Sequence, residues 1–292
     1  MARQLIEQQL GDIRLLGYSV AGEETVVAAP ELNVCFDVGR APVEIISIDH
    51  VLLSHGHMDH AAGLAYYFSQ RNFVGIAPGT VLAPKVLADP IRDLLRVWGQ
   101  IEGHVSPGRI VPMGPGESFE LRKGLFARTF DVNHGVSSLG FAVVEVRHKL
   151  KPEFTSLTGP ELVELKKKGT EIEYSLEIPL VAYCGDTAEG SWLQLDMVRQ
   201  AKVLLLECTF FEPDHVSRAR AGYHLHVKDV ARLLNRLENE HIVLTHVSRR
   251  TGTREAKAAL ARLVDESTLS RVRFLMDGHR YRPRPGEALP PV

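Results

Sequence analysis

Val51-Leu-Leu-Ser-His55-Gly-His57-Met-Asp59-His60 sets three imidazoles and a carboxylate within six positions of a short apolar run. Val51 to Leu53 reads as a buried strand, and alternate residues of the extended segment after it point the same way, so His55 and His57 can chelate one ion. Asp59 and His60 fall where the chain turns toward the helix-like stretch Ala61 to Gln70 and can face a second ion beside the first. Imidazoles with carboxylates suit zinc first, and manganese or iron as alternatives; the lack of thiolates argues against a closed structural zinc site. Solvated loop histidines would not cluster four ligand-type residues beside a buried strand.

The motif His55-x-His57-x-Asp59-His60 resembles the signature of the metallo-β-lactamase superfamily. The resemblance implies an α/β fold, an αββα four-layer sandwich with a two-metal site at one edge. It implies further ligands at His134 in Asp131-Val-Asn-His-Gly135, Asp186 in Cys184-Gly-Asp-Thr187 and His246 in Leu244-Thr-His-Val247. Asp186 is expected to bridge both metals, because two neighbouring cations repel and a shared anion offsets the repulsion. Gly185 is expected to let the backbone approach an ion.

A closer resemblance runs from about Gly17 to Arg250. Gly17-Tyr-Ser19, Gly22-x-Glu24-Thr25 and Phe36-Asp37-Val-Gly39-Arg40-x-Pro42 are similar to the entry segment of the ribonuclease Z family, the tRNA 3′-processing endonucleases, in their short plant-type form. Asp37 reads either as a turn residue or as a buried support for the ligand loop. Farther on, Val203-Leu-Leu-Leu-Glu207 reads as a buried strand ending in a carboxylate, which calls for a partner, and His224 can supply it. In the family the matching glutamate and histidine form a pair, so the resemblance implies that Glu207 orients His224 and His224 protonates the leaving 3′-oxygen. Asp59 would orient the attacking water as well as hold the second metal. His226 reads as a helix-start residue rather than a ligand.

A sector at about 147–178 resembles the family's tRNA-binding insert. There Arg147, Lys149, Lys151, Lys166, Lys167 and Lys168 are expected to neutralise phosphates, with a solvated face as the plainer alternative. Arg250 aligns with a family arginine and reads equally as a phosphate contact or as the partner of a core carboxylate. The implied substrate is a tRNA precursor, cut by an activated water to leave a tRNA 3′-hydroxyl. The alternative is a hydrolase of the same fold acting on a small phosphodiester, lactone or thioester. The family also implies a homodimer.

Composition bounds the rest. The 292 residues are 45% hydrophobic with a formal net charge of −2, enough apolar content for one elaborated domain, expected over 1–278 with a mobile tail at 279–292. So balanced a charge excludes a generic polyanion binder and leaves only local patches. Three cysteines without metal-type spacing suggest a reducing compartment. No apolar run approaches the roughly 20 residues that span a bilayer, and the start lacks a secretory segment, so a cytoplasmic protein with no membrane partner is expected. Thr80 to Ile101 reads as the longest helical stretch, with Leu87, Ile91, Leu94, Leu95 and Trp98 as core or dimer contacts and Lys85, Arg92 and Arg96 as a solvated face.

Overall fold

Continuous apolar runs and alternating ones lie in different parts of this chain, and each marks a different kind of strand. A computed structural model describes residues 4–278. The first sheet contains β1 (Ile6–Leu10), β2 (Ile13–Val20), β3 (Glu24–Ala29), β4 (Val34–Phe36), β5 (His50–Leu52), β6 (Thr80–Pro84) and β7 (Arg109–Met113) in sequential order. The second contains β8 (Ser118–Arg122), β9 (Leu125–Asp131), β10 (Leu139–Leu150), β11 (Glu173–Tyr183), β12 (Val203–Glu207), β13 (His241–Thr245) and β14 (Val272–Phe274), also sequential. Each sheet is antiparallel through its first four strands and parallel through its last four. Parallel strands are covered on both faces and therefore read as unbroken runs, as in Val-Leu-Leu-Leu of β12 and Ile-Val-Leu of β13.

Period-two alternation divides the second sheet between two cores. Phe141, Val143, Val181, Tyr183, Val203, Leu205 and Val243 pack inward against the first sheet. Their neighbours Ala142, Val144, Ala182, Leu204, Leu206, Ile242 and Leu244 pack outward in a separate cluster with Trp192 and the helical side chains. Among the described residues the helices are α1 (Met58–Ala61), α2 (Leu64–Phe73), α3 (Ala88–Glu102), α4 (Gly159–Lys167), α5 (Asp196–Arg199), α6 (Val216–Ala221), α7 (Val227–Leu234), α8 (Thr253–Ala261) and α9 (Glu266–Ser270). Leu64, Tyr67 and Phe68 of α2 and Ile91 of α3 cover the first sheet, while Val230, Leu233 and Leu234 of α7 cover the second. The result is the expected helix–sheet–sheet–helix sandwich. Each fully buried aliphatic contributes about 1.5–3 kcal/mol relative to exposure.

Thr80 to Ile101 is not one helical stretch. Val81, Leu82 and Ala83 are fully buried in β6 between β5 and β7, and the helix starts only at Ala88. Three consecutive buried residues fit a central parallel strand, where both faces are covered. Pro90 falls in the first turn of α3, where its missing N–H costs nothing. On α3, Ile91 is buried, Leu95 packs partly against the core, and Leu94 and Trp98 remain half exposed. Arg92 and Arg96 pair with Asp89 and Asp93 on its surface, as a solvated face should.

β10 and β11 outrun their sheet. β10 pairs with β9 only as far as Glu145, yet its ladder with β11 continues through Leu150 and Glu173. The excess is a two-stranded arm tipped by α4, whose first turn is fixed by Thr158 and Glu161 in reciprocal hydrogen bonds to the backbone. Cys35, Cys184 and Cys208 are free and buried, and no helix among the described residues is long and apolar enough to cross a membrane. The tail expected at 279–292 lies outside the described residues.

Candidate metal centre and active site

The loops after several strands of both sheets meet at one edge, where they deliver polar side chains. The two sheets are stitched at this edge by the bridge between Val20 and Val247 and by the hydrogen bond from the Ala21 N–H to the Val247 carbonyl. The loop after β5 carries His55 and His57, and the first turn of α1 carries Asp59 and His60. His134 follows β9, Asp186 follows β11, and His246 follows β13.

These seven residues converge as two groups. In the first, His55 Nε2 lies 3.0 Å from His57 Nδ1, His134 Nε2 lies 3.4 Å from that same nitrogen, and Asp186 Oδ2 lies 3.8 Å from His55 Nε2. In the second, Asp59 Oδ2 lies 3.6 Å from His60 Nε2 and 3.4 Å from His246 Nε2. Asp186 Oδ2 also stands 3.4 Å from His60 Nε2 and 3.3 Å from His246 Nε2, so one carboxylate oxygen faces both groups. Within each group the donor atoms lie within 4.8 Å of one another.

The arrangement fits divalent cations. His60 Nε2 is buried without a hydrogen-bond partner among the described residues, although it faces two carboxylates. Leaving a buried polar atom unpaired costs about 1–3 kcal/mol, and a cation at that nitrogen would remove the penalty. Burial, with the His60 charge, holds His55 well below the usual histidine range, so it is neutral, the form that ligates. Burial alone would lower His60 too, but the Asp186 and Asp37 carboxylates outweigh it and hold a proton there, which a cation would replace. For Asp59 and Asp186, burial is overcome by the surrounding imidazoles, and both stay ionised.

Two buried carboxylates behind the cluster fix the ring orientations. Asp37 is fully buried at φ 54° and accepts from the Ser54 N–H at 2.7 Å, Ser54 Oγ at 2.8 Å, His60 Nδ1 at 2.6 Å and the Tyr183 hydroxyl at 2.6 Å. Ser54 Oγ in turn accepts from His55 Nδ1 at 3.0 Å, so one anion sets the Nε2-facing orientation of a histidine in each group. Asp37 is thus the buried support, not a turn cap. Replacing Asp37 by Ala strands its four donors, and chemical denaturation of the variant should show a loss of about 3–5 kcal/mol. Gly185 serves this same contact: a Cβ there would lie 2.9 Å from Ser54 Cβ, and its φ is 61°. The missing side chain leaves room for Ser54.

Glu207 is the second support. Fully buried, it accepts from the Thr187 N–H at 2.9 Å, the Leu225 N–H at 3.2 Å, Thr209 Oγ1 at 2.6 Å and His224 Nδ1 at 2.7 Å. Thr209 Oγ1 accepts from His246 Nδ1 at 2.9 Å, which places His246 under the same carboxylate. Burial presses the His224 pKa down, but the charge and hydrogen bond of Glu207, with Asp186 behind, raise it to about 9. His224 also stands within ligand distance of Asp186 and His246. Its Nδ1 is committed to Glu207, a contact that none of the seven makes among the described residues.

Residues 33–247 match the family described as Beta-lactamase superfamily domain. The chain is 34% identical over 251 residues to tRNase Z TRZ1 of Arabidopsis thaliana, which spans 85% of this chain and 89% of that protein. The chain belongs to the tRNase Z family. A second relative, the chloroplastic tRNase Z TRZ2 of the same plant, is 31% identical over 94% of this chain and 78% of its own. The crystal structure of human tRNase Z, short form, shares the fold with a TM-score of 0.54 at 16% identity, covering 93% of each chain.

In this tRNase Z family member, His226 caps the start of α7: its Nδ1 accepts from the Lys228 N–H and its Nε2 donates to the Glu212 carbonyl. It is not among the grouped ligands, as its position suggested. Arg250 is exposed and does not serve a core carboxylate; the neighbouring Arg249 does, by pairing with buried Glu23. The arm is balanced rather than basic. Against Arg147, Lys149, Lys151 and Lys166 to Lys168 stand Glu153, Glu161, Glu164, Glu171, Glu173 and Glu177. Arg147, Lys151, Lys166 and Lys167 form surface pairs with Glu145, Glu171, Glu173 and Glu164. Ser54, Tyr183 and Thr209 were not legible as supports, since each is an ordinary residue until folding sets it against a carboxylate.

Proposed function

We propose that the chain is a two-metal endoribonuclease that removes the 3′ trailer of a tRNA precursor and leaves a tRNA 3′-hydroxyl. The observation that carries this reading is the buried Glu207 holding a protonated His224 beside the ligand cluster, in a chain 34% identical to a tRNase Z over most of both lengths. One hydrolase domain, 1–278, would carry it. His55, His57, His134 and Asp186 would hold one ion, and Asp59, His60, His246 and Asp186 the other, zinc before manganese or iron by the donor set. Bound there, the cations would supply Lewis-acid activation of water at neutral pH and neutralise charge on the phosphoryl oxygens.

The chain's own groups complete the reaction. Asp59 is held by the Gly22 N–H at 2.8 Å and stays ionised, so it would orient the attacking water or accept its proton while holding the second ion. His224 offers the ring nitrogen not used by Glu207 to the departing 3′-oxygen, and the Glu207 carboxylate stabilises the charge before transfer. Because the protonated form is active, kcat/KM should fall as pH rises through about 9. Glu207→Gln removes the raising charge and should move that alkaline limb down by a unit or more, measured as a pH–rate profile on the precursor.

The arm and Arg250 would meet the tRNA backbone. Exposed ion pairs contribute about 0–1 kcal/mol each, so a phosphate can displace them. Replacing Lys166, Lys167 and Lys168 by Ala should lower precursor affinity and flatten its salt dependence by a slope of about 2–3, from binding titrated across ionic strength. We further propose a two-fold homodimer through α3, where Leu94, Val97, Trp98 and Ile101 are 43–67% exposed beside a groove of about 510 Å³ lined by Met58 and Tyr66. Sedimentation equilibrium decides between pair and monomer. For the activity, kcat/KM on a 3′-extended precursor, mature tRNA and a bis-phosphodiester chromogen is the test; turnover of the chromogen alone would move the substrate to a small ester.

A further inference from the structure

Five non-glycine residues among those described have a left-handed backbone, and three of them border the metal centre: Asp37, His246 and Tyr223. Asp37 and His246 use the conformation to aim a side chain already accounted for. Tyr223, at φ 57°, does not. A bulky residue in this region is a backbone outlier, and strain of this kind gathers where function repays it.

The backbone duties of Tyr223 do not require a tyrosine. Its carbonyl accepts from His134 Nδ1 at 3.5 Å, and its N–H donates to the Arg220 carbonyl at 3.3 Å. Glycine would make both bonds without strain. The residue is 45% exposed, and among the described residues the phenol makes no hydrogen bond. Its edge lies beside Gly135, where a Cβ would stand 3.4 Å from Tyr223 Cδ2, in ordinary contact, so the ring neighbours the loop that carries His134. An exposed aromatic ring thus sits beside the loop of the ligand His134, one residue before His224.

We propose that Tyr223 is a stacking platform for the base of the nucleotide whose 3′-oxygen departs. The inference rests on the endoribonuclease reading. His224 adjoins Tyr223 in sequence and serves that same oxygen, so the base on that side of the cut is the group within reach. Stacking on an aromatic ring is tolerant of base identity, because every base has a π-face.

The test crosses two substrates with three variants: a precursor with a normal nucleotide before the cut and one abasic there, each with the parent protein, Tyr223→Gly and Tyr223→Phe. Tyr223→Gly should raise KM for the normal precursor about tenfold, and Tyr223→Phe, which keeps the ring, should restore it. On the abasic precursor the glycine variant should match the parent. The glycine variant should unfold no earlier than the parent; if it does, Tyr223→Asn, which accepts the left-handed backbone, takes its place. A parent-like KM for both variants, or the same tenfold loss on the abasic precursor, would overturn the proposal. A parent protein that hydrolyses the chromogen and leaves the precursor whole would overturn the endoribonuclease reading and this inference with it.

Discussion

His224→Ala should lower precursor cleavage by about 10²–10⁴-fold while the protein keeps its full metal content. The ring's Nδ1 is committed to Glu207 at 2.7 Å, its charge is stabilised, and the seven ligand positions are filled without it. The variant removes the proton for the leaving oxygen and leaves Asp186 and His246 in place. Metal analysis beside single-turnover cleavage separates this from the competing arrangement. If the variant loses an ion, His224 is a ligand with Asp186 and His246; if it cleaves at the parent rate, the proton comes from elsewhere.

Asp186→Ala should strip the protein of both ions. Its Oδ2 stands 3.3–3.8 Å from imidazoles of both groups, and the residue is buried to 3% exposure. Without it, two neighbouring cations would face each other with no shared anion, at about 4 kcal/mol per pair of unit charges 4 Å apart even in a polarisable site. Asp59→Ala, by contrast, should lose the second ion and retain the first. Metal-to-protein ratios by mass spectrometry decide. Parent ratios in the Asp186 variant would mean that the carboxylate does not bridge.

Much of this site was legible because ligands are chemistry-bearing types placed beside apolar runs. His55 to His60 follow a continuous run that can only be a buried strand, and Glu207 ends another. The sandwich was implied by the resemblance that the His55-x-His57-x-Asp59-His60 motif carries, not by the pattern of the strands. What sequence did not show is contact across distance. Asp37 and Tyr183 are 146 residues apart, and nothing local in either announces the bond between them. Thr80 to Pro84 was misread because a short buried strand followed by a short connection has the same apolar density as a helix start. The arm was read from its lysines alone; the glutamates that balance them are spread along both strands and the helix. Tyr223 carries no signal in type or spacing, since its meaning lies in a backbone angle.

The most direct measurement is to incubate metal-loaded protein with a 3′-extended tRNA precursor and sequence both product ends. The account predicts a single cut, a tRNA ending in a 3′-hydroxyl and a trailer beginning with a 5′-phosphate. A trailer with a 5′-hydroxyl, or an intact precursor under conditions where the chromogen turns over, would contradict it.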